Sequence, residues 1–134
     1  MAERDAPTLL HYAEIAWDRP VPAAQPGAGP PKALIDEAVR TGARRKKVVC
    51  GEGGFFMNRS VLPAGFRVPP HQHDHNEMLV VLRGGCEFDD ALGSLAADDT
   101  IVISKFTRYG FECGPDGMEF LTIRVGEASV EVDD

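Results

Sequence analysis

Three things that would each point to a different kind of protein are missing from this chain. No apolar run approaches the ~18 residues a membrane-spanning helix needs. The N-terminus also carries no signal-peptide core, so a cytoplasmic protein with no membrane partner is expected. Cysteine is scarce. Cys50, Cys86 and Cys113 are an odd number with no Cys-x-x-Cys spacing, which excludes a disulfide framework and a thiolate zinc site. Each lies among apolar residues of a predicted strand, the usual setting of a buried free thiol. Positive charge is short as well. A formal net charge of -7 argues against a nucleic-acid partner or an anionic membrane surface, both of which need basic patches. The one basic run, Arg44-Arg45-Lys46-Lys47, reads as a solvated helix end or strand start.

What is present fits one globular domain. The 134 residues, 43% apolar and 26% charged, suffice for a single well-filled core. Residues 1–32 form a Pro/Ala/Gly-rich N-terminal arm, densest at "RPVPAAQPGAGPPK", and proline cannot donate to a strand ladder. Within the arm, "TLLHYAEIAW" is expected to pack on the surface of the main domain or on a partner subunit. Residues 33–134 make the second unit, a β-barrel domain. It opens with "KALIDEAVRTG", whose Leu34, Ile35, Ala38 and Val39 give the stripe of one short helix that Gly42 would stop.

From Arg45 to Val125 the pattern changes to short strands divided by turn signals. "KKVVC", "GFFMNRSVL", "FRVPPHQH", "EMLVVLR", "CEFD", "TIVIS", "YGFEC" and "MEFLTIRV" are the predicted strands. Strands this closely spaced, without helices between them, predict an all-β fold, a small antiparallel barrel or jelly roll. Two arginines, Arg59 and Arg124, fall in strands whose faces are not cleanly apolar on either side. An inward arginine would bind a carboxylate or phosphate, and outward, solvated arginines are the expectation.

The histidines carry the functional signal. His71, His73 and His75 occupy alternate positions, and Glu77 continues the series. In a strand, alternate residues share a face, so four potential ligands would point the same way. Imidazole nitrogen with carboxylate oxygen is the donor set of a divalent transition metal such as Fe, Mn, Ni, Zn or Cu. His75 has the right parity, yet Asp74 and Asn76 flank it and both favour turns; a bend there would send it to solvent or to the barrel mouth.

The stretch "GFRVPPHQHDHNEMLVVLRG", Gly65 to Gly84, resembles the first motif of the cupin superfamily, G-x5-H-x-H-x3-E-x6-G, at every fixed position. The resemblance implies a single-domain double-stranded β-helix, or jelly roll, with a metal inside. It implies His71, His73 and Glu77 as ligands, Gly65 in the turn before the strand and Gly84 in a hairpin after it. The family's second motif, G-x5-P-x-G-x2-H, is not spelled out. Aligning the apolar strand "TIVIS" puts Asp98 and Phe106 at its glycines, Ser104 at its proline and Tyr109 at its histidine. Tyr109 could ligate as a phenolate, a hard state to reach from a pKa of ~10. It could act as acid or base beside a site with open positions, or fill the pocket with Phe111.

Two histidines and one carboxylate with open positions form the set that non-haem iron oxygenases use. A metal-dependent, dioxygenase-like enzyme acting on a small organic molecule inside the barrel is therefore the first expectation. A lyase or isomerase using Tyr109 as acid/base is the alternative, with a non-catalytic module for a metal or small ligand as the third reading. A homodimer is expected, since small barrels of this kind pair through sheet edges.

Overall fold

Runs of β-branched and aromatic residues that alternate with polar ones favour paired strands over helix, and they pair here in a way that joins two sheets into one. The computed structural model describes residues 6–18, 32–126 and 130–132. Its eight strands are β1 (Arg44–Cys50), β2 (Phe55–Leu62), β3 (Arg67–His73), β4 (Glu77–Phe88), β5 (Ser94–Ala96), β6 (Thr100–Ile103), β7 (Tyr109–Val125) and β8 (Val130–Val132). All pairings are antiparallel. One face runs β1, β2, the second half of β7, the first half of β4, and β6. The other runs β8, β3, the first half of β7, the second half of β4, and β5. The long strands β4 and β7 thus belong to both faces and turn the corner between them.

That corner corrects the reading of the sequence. "EMLVVLR" and "CEFD" are one strand, as are "YGFEC" and "MEFLTIRV", while β5 and β8 went unpredicted. Gly84 makes no hairpin. It sits inside β4 with φ +72°, opposite Met118, and a Cβ there would lie 2.1 Å from the carbonyl oxygen of Gly117. The two backbones approach so closely at the bend that only glycine fits. Gly65 does take its turn, with φ +71°.

Phe66, Leu79, Val81, Cys86, Phe88, Ile103, Tyr109, Phe111, Cys113, Met118 and Phe120 fill the space between the faces. Edge-on rings link Phe88 to Phe111 (5.6 Å) and Phe111 to Phe120 (6.2 Å). Helix α1 (Lys32–Thr41) packs Leu34 and Ala38 against this core and ends at Gly42, whose φ is +82°. Cys86 and Cys113 are buried as expected, whereas Cys50 is exposed at the end of β1. Among the described residues no helix is long and apolar enough to cross a membrane.

Of the arm, "RPVPAAQPGAGPPK" lies outside the described residues apart from Lys32. The segment before it packs on the barrel of its own chain. Lys46, at 6% exposure, donates to the Tyr12 carbonyl at 2.7 Å and stands 3.9 Å from the Tyr12 ring and 4.9 Å from the Trp17 ring. Arg44 stacks on Trp17 and Arg59 on Tyr12. Asp18 follows, donating its backbone N–H to the Arg45 carbonyl at 2.8 Å. The basic run is therefore the start of edge strand β1, its one buried lysine held under two aromatic rings.

Candidate metal and acid–base site

Strand β3 supplies the histidines and β4 the carboxylate. His71 and His73 lie on the same side of β3 because they are two residues apart. Their rings meet edge-on, with centroids 5.0 Å apart. Glu77 begins β4, and its side chain is only 2% exposed; the His73 Nε2 lies 3.6 Å from its Oε1. Tyr109 begins β7 opposite His71, so its ring comes to 4.3 Å from the His71 ring. Its hydroxyl donates a short hydrogen bond to Glu77 Oε1. Two imidazoles, a carboxylate and a phenol therefore converge between the two faces.

The His71 ring has a defined tautomer. Its Nδ1 lies 3.0 Å from the Pro69 carbonyl oxygen, which can only accept, so Nδ1 carries the hydrogen and Nε2 keeps its lone pair. Burial holds the imidazole below the usual histidine range, helped by His73 and Arg108 and opposed by the Pro69 bond and Glu77. A neutral ring with one nitrogen tied to a carbonyl and the other free is how histidine ligates metal. Burial pushes the Tyr109 phenol well above 10.0, and the charge and hydrogen bond of Glu77 push the same way. The phenol thus keeps its proton.

His75 does not join this group. The strand ends at His73 and the chain bends at Asp74 and His75. The His75 Nδ1 lies 2.7 Å from Asp74 Oδ1, and its Nε2 edge rests against Gly126, where a Cβ would come within 3.0 Å. The bend breaks the alternation that would have turned it inward.

Around the cluster the inner surface of the first face is partly polar. Cross-strand partners share a face, and the pairings place Phe56, Arg124, Glu77 and Ile103 in one inner row. Asn58, Thr122, Leu79 and Ile101 form the next. Arg124 therefore points inward, against the expectation of outward arginines, while Arg59 is outside and pairs with Glu119. The parity of Arg124 with buried Phe120 on the same strand is the signal that would have found it. A separate concavity lies at the bend of β4 and β7, lined by Gly65, Gly84, Cys86, Leu95, Cys113 and Pro115. None of the four clustered side chains lines it. Its thiols are pushed up by burial, to about 11 for Cys86 and about 12 for Cys113, so they stay protonated and inert near neutral pH.

Among the described residues no three His, Cys, Asp or Glu side chains already surround one ligation point. Glu77 is engaged by Tyr109. The donors nevertheless suit a divalent transition metal: a free Nε2 on His71, the His73 Nε2, and a buried carboxylate beside it.

No protein-family model and no curated protein matches the chain. Solved structures do. The polyketide cyclase RemF from Streptomyces resistomycificus superposes with a TM-score of 0.68 at 18% identity, covering 96% of this chain and 87% of its own. KdgF from a Halomonas species gives 0.65 at 17% identity, covering 91% and 96%. An RmlC-like cupin from Shewanella frigidimarina gives 0.57 at 18% identity, covering 65% and 78%. Identity this low carries architecture and nothing finer. In fold, then, this chain is similar to the cupins: it is a double-stranded β-helix, or jelly roll.

Proposed function

We propose that the protein is a metal-dependent enzyme acting on a small organic molecule inside the barrel, by proton transfer through Tyr109. The observation that carries this reading is the placement of the Tyr109 hydroxyl on the Glu77 carboxylate, among His71 and His73 and next to a partly polar inner wall. His71 and His73 would hold a divalent ion through Nε2, and Glu77 through its carboxylate. Bound there, such an ion would act as a Lewis acid on a carbonyl or phenolic oxygen of the substrate. Tyr109 holds its proton at Oη, within reach of a group bound at the same place, and can deliver it and take it back. Behind Tyr109 the buried Phe88 and Phe111 rings give an apolar backing, 6.3 Å from Tyr109 to Phe88 and 5.6 Å from Phe88 to Phe111. On this reading the chemistry would be that of a lyase, isomerase or cyclase, and one protein of similar fold is a polyketide cyclase.

A second reading rests on a specific observation as well. Two histidines and one carboxylate, with Tyr109 where a third histidine would be expected, are the donor set that a non-haem iron dioxygenase would use. In either case the protein would work as a homodimer, two copies meeting on the outer row that carries Val102.

Metal content and turnover measured together decide. His71→Ala, His73→Ala and Glu77→Ala should each empty or weaken the site. Tyr109→Phe should keep the ion and lower turnover by roughly 10²–10⁴-fold, the usual worth of an acid–base group. Oxygen uptake with diketones, phenols or thiols would favour the dioxygenase. Full metal occupancy in the His71→Ala and His73→Ala proteins would overturn both readings.

A further inference from the structure

Beside Glu77 the inner wall carries a cation that the reading above does not use. Arg124 is the cross-strand partner of Glu77 on one side and of Phe56 on the other, so all three side chains rise from the same face. The Glu77 carboxylate is taken by Tyr109, while the Arg124 guanidinium stands over the Phe56 ring, 5.5 Å from its centroid. The arginine is half-buried, and its Nε is buried with no hydrogen-bond partner among the described residues. A buried N–H without an acceptor is unfavourable and rare in folded proteins. A stacked guanidinium is held in one plane, and its donors form a fork that matches an oxyanion.

We propose that Arg124 binds a carboxylate of the substrate, so that the molecule processed at the histidine cluster is a small organic acid. The assignment rests on the preceding reading only in that the anchored molecule is the substrate. A carboxylate is favoured over phosphate by the neighbours. Asn58 and Thr122, in the next row, are neutral, and Glu77 in the same row is acidic. Phe56 adds an apolar wall alongside, which suits the carbon skeleton of such an acid.

The test uses the full-length protein with [15N]arginine, in metal-loaded and chelator-treated forms. The Arg124 Nε–H resonance is identified by its loss in Arg124→Gln. Benzoate should shift it saturably in both forms. Benzamide, neutral and of the same shape, should bind at least about tenfold more weakly, as should inorganic phosphate. In Arg124→Gln benzoate affinity should fall about tenfold to a hundredfold, as expected for a charge-assisted hydrogen bond, with metal content unchanged. Phe56→Leu, which removes the stacking surface and keeps the arginine, should weaken benzoate severalfold. Equal benzoate affinity in wild type and Arg124→Gln, an Nε–H signal that ignores benzoate, or tighter binding of phosphate would each overturn the assignment. A wild-type protein that binds no metal yet still binds benzoate through Arg124 would sink the metal reading and leave this one standing.

Discussion

At Phe106 the backbone takes φ 62° and at Asp98 φ 75°, the left-handed region in which L side chains are strained. These are the two positions where the cupin second motif has glycine. Both residues take a backbone shape that glycine adopts most easily, and Phe106 N–H donates to the His73 carbonyl at 2.7 Å, tying that loop to the histidine strand. Phe106 is 61% exposed, so replacing it loses little burial. Phe106→Gly should therefore raise stability by up to about 1 kcal/mol, read as a higher melting temperature. An unchanged or lower midpoint would show that the ring contributes more than the strain costs. The same substitutions explain why this half of the site was hard to read from sequence. His71, His73 and Glu77 were legible because two-residue spacing is a local property of one strand. Tyr109 was placed only through an alignment on an apolar strand. Arg124 escaped because its inward direction depends on pairing with β2 and β4, which no local pattern reveals. The thiols give a further prediction at this scale. Cys86 and Cys113 keep their protons to about 11 and about 12, where an unfolded thiol releases them near 9.0. The folded state binds more protons across that window, so this contribution is intact below pH 9 and is lost as pH rises through 11 to 12. Denaturant midpoints should fall above pH 9, and fall less steeply in Cys86→Ala or Cys113→Ala.

Single elements show where turn signals mislead. Gly84-Gly85 and the Gly114-Pro115-Asp116-Gly117 stretch look like breaks between strands, yet β4 and β7 run through them. Glycine-rich stretches permit a turn, and they equally permit two strands to bend while nearly touching. Which of the two occurs depends on the opposite strand, here Met118 across from Gly84. Gly84→Ala should cost about 3 kcal/mol or more, because it adds a left-handed strain to a clash with backbone that cannot rotate away. Unfolding curves within about 1 kcal/mol of wild type would show that the bend relaxes. On the outer edge, Tyr12 and Trp17 shield Lys46, whose ammonium is otherwise left buried. Tyr12→Ala and Trp17→Ala should each destabilise by about 1–2 kcal/mol, the worth of a desolvated cation–π contact.

The whole barrel presents an apolar outer row that the core does not explain. Val102, Met78, Ile123 and Met57 are successive partners across β6, β4, β7 and β2, and Val102 is 72% exposed. Met57, Met78 and Ile123 are half-buried, and an apolar row crossing four strands suits the face of a second copy. Sedimentation should give a homodimer, and Val102→Lys should shift it toward monomer. A wild-type monomer at high micromolar concentration would argue against the pairing.

Strand β7 has one more consequence. It partners β2, β3 and β4, yet it is the last long strand to leave the ribosome. A nascent chain that has emerged only as far as Phe106 holds local hairpins such as β1–β2 and β4–β6 but neither face complete. His71 has no Tyr109 to face until then, so the cluster of His71, His73, Glu77 and Tyr109 is among the last things to form. Closing such distant pairs is slow, typically milliseconds to seconds for barrels of this kind. Until it happens, the strands that will become the core stay open to whatever else the cell offers them.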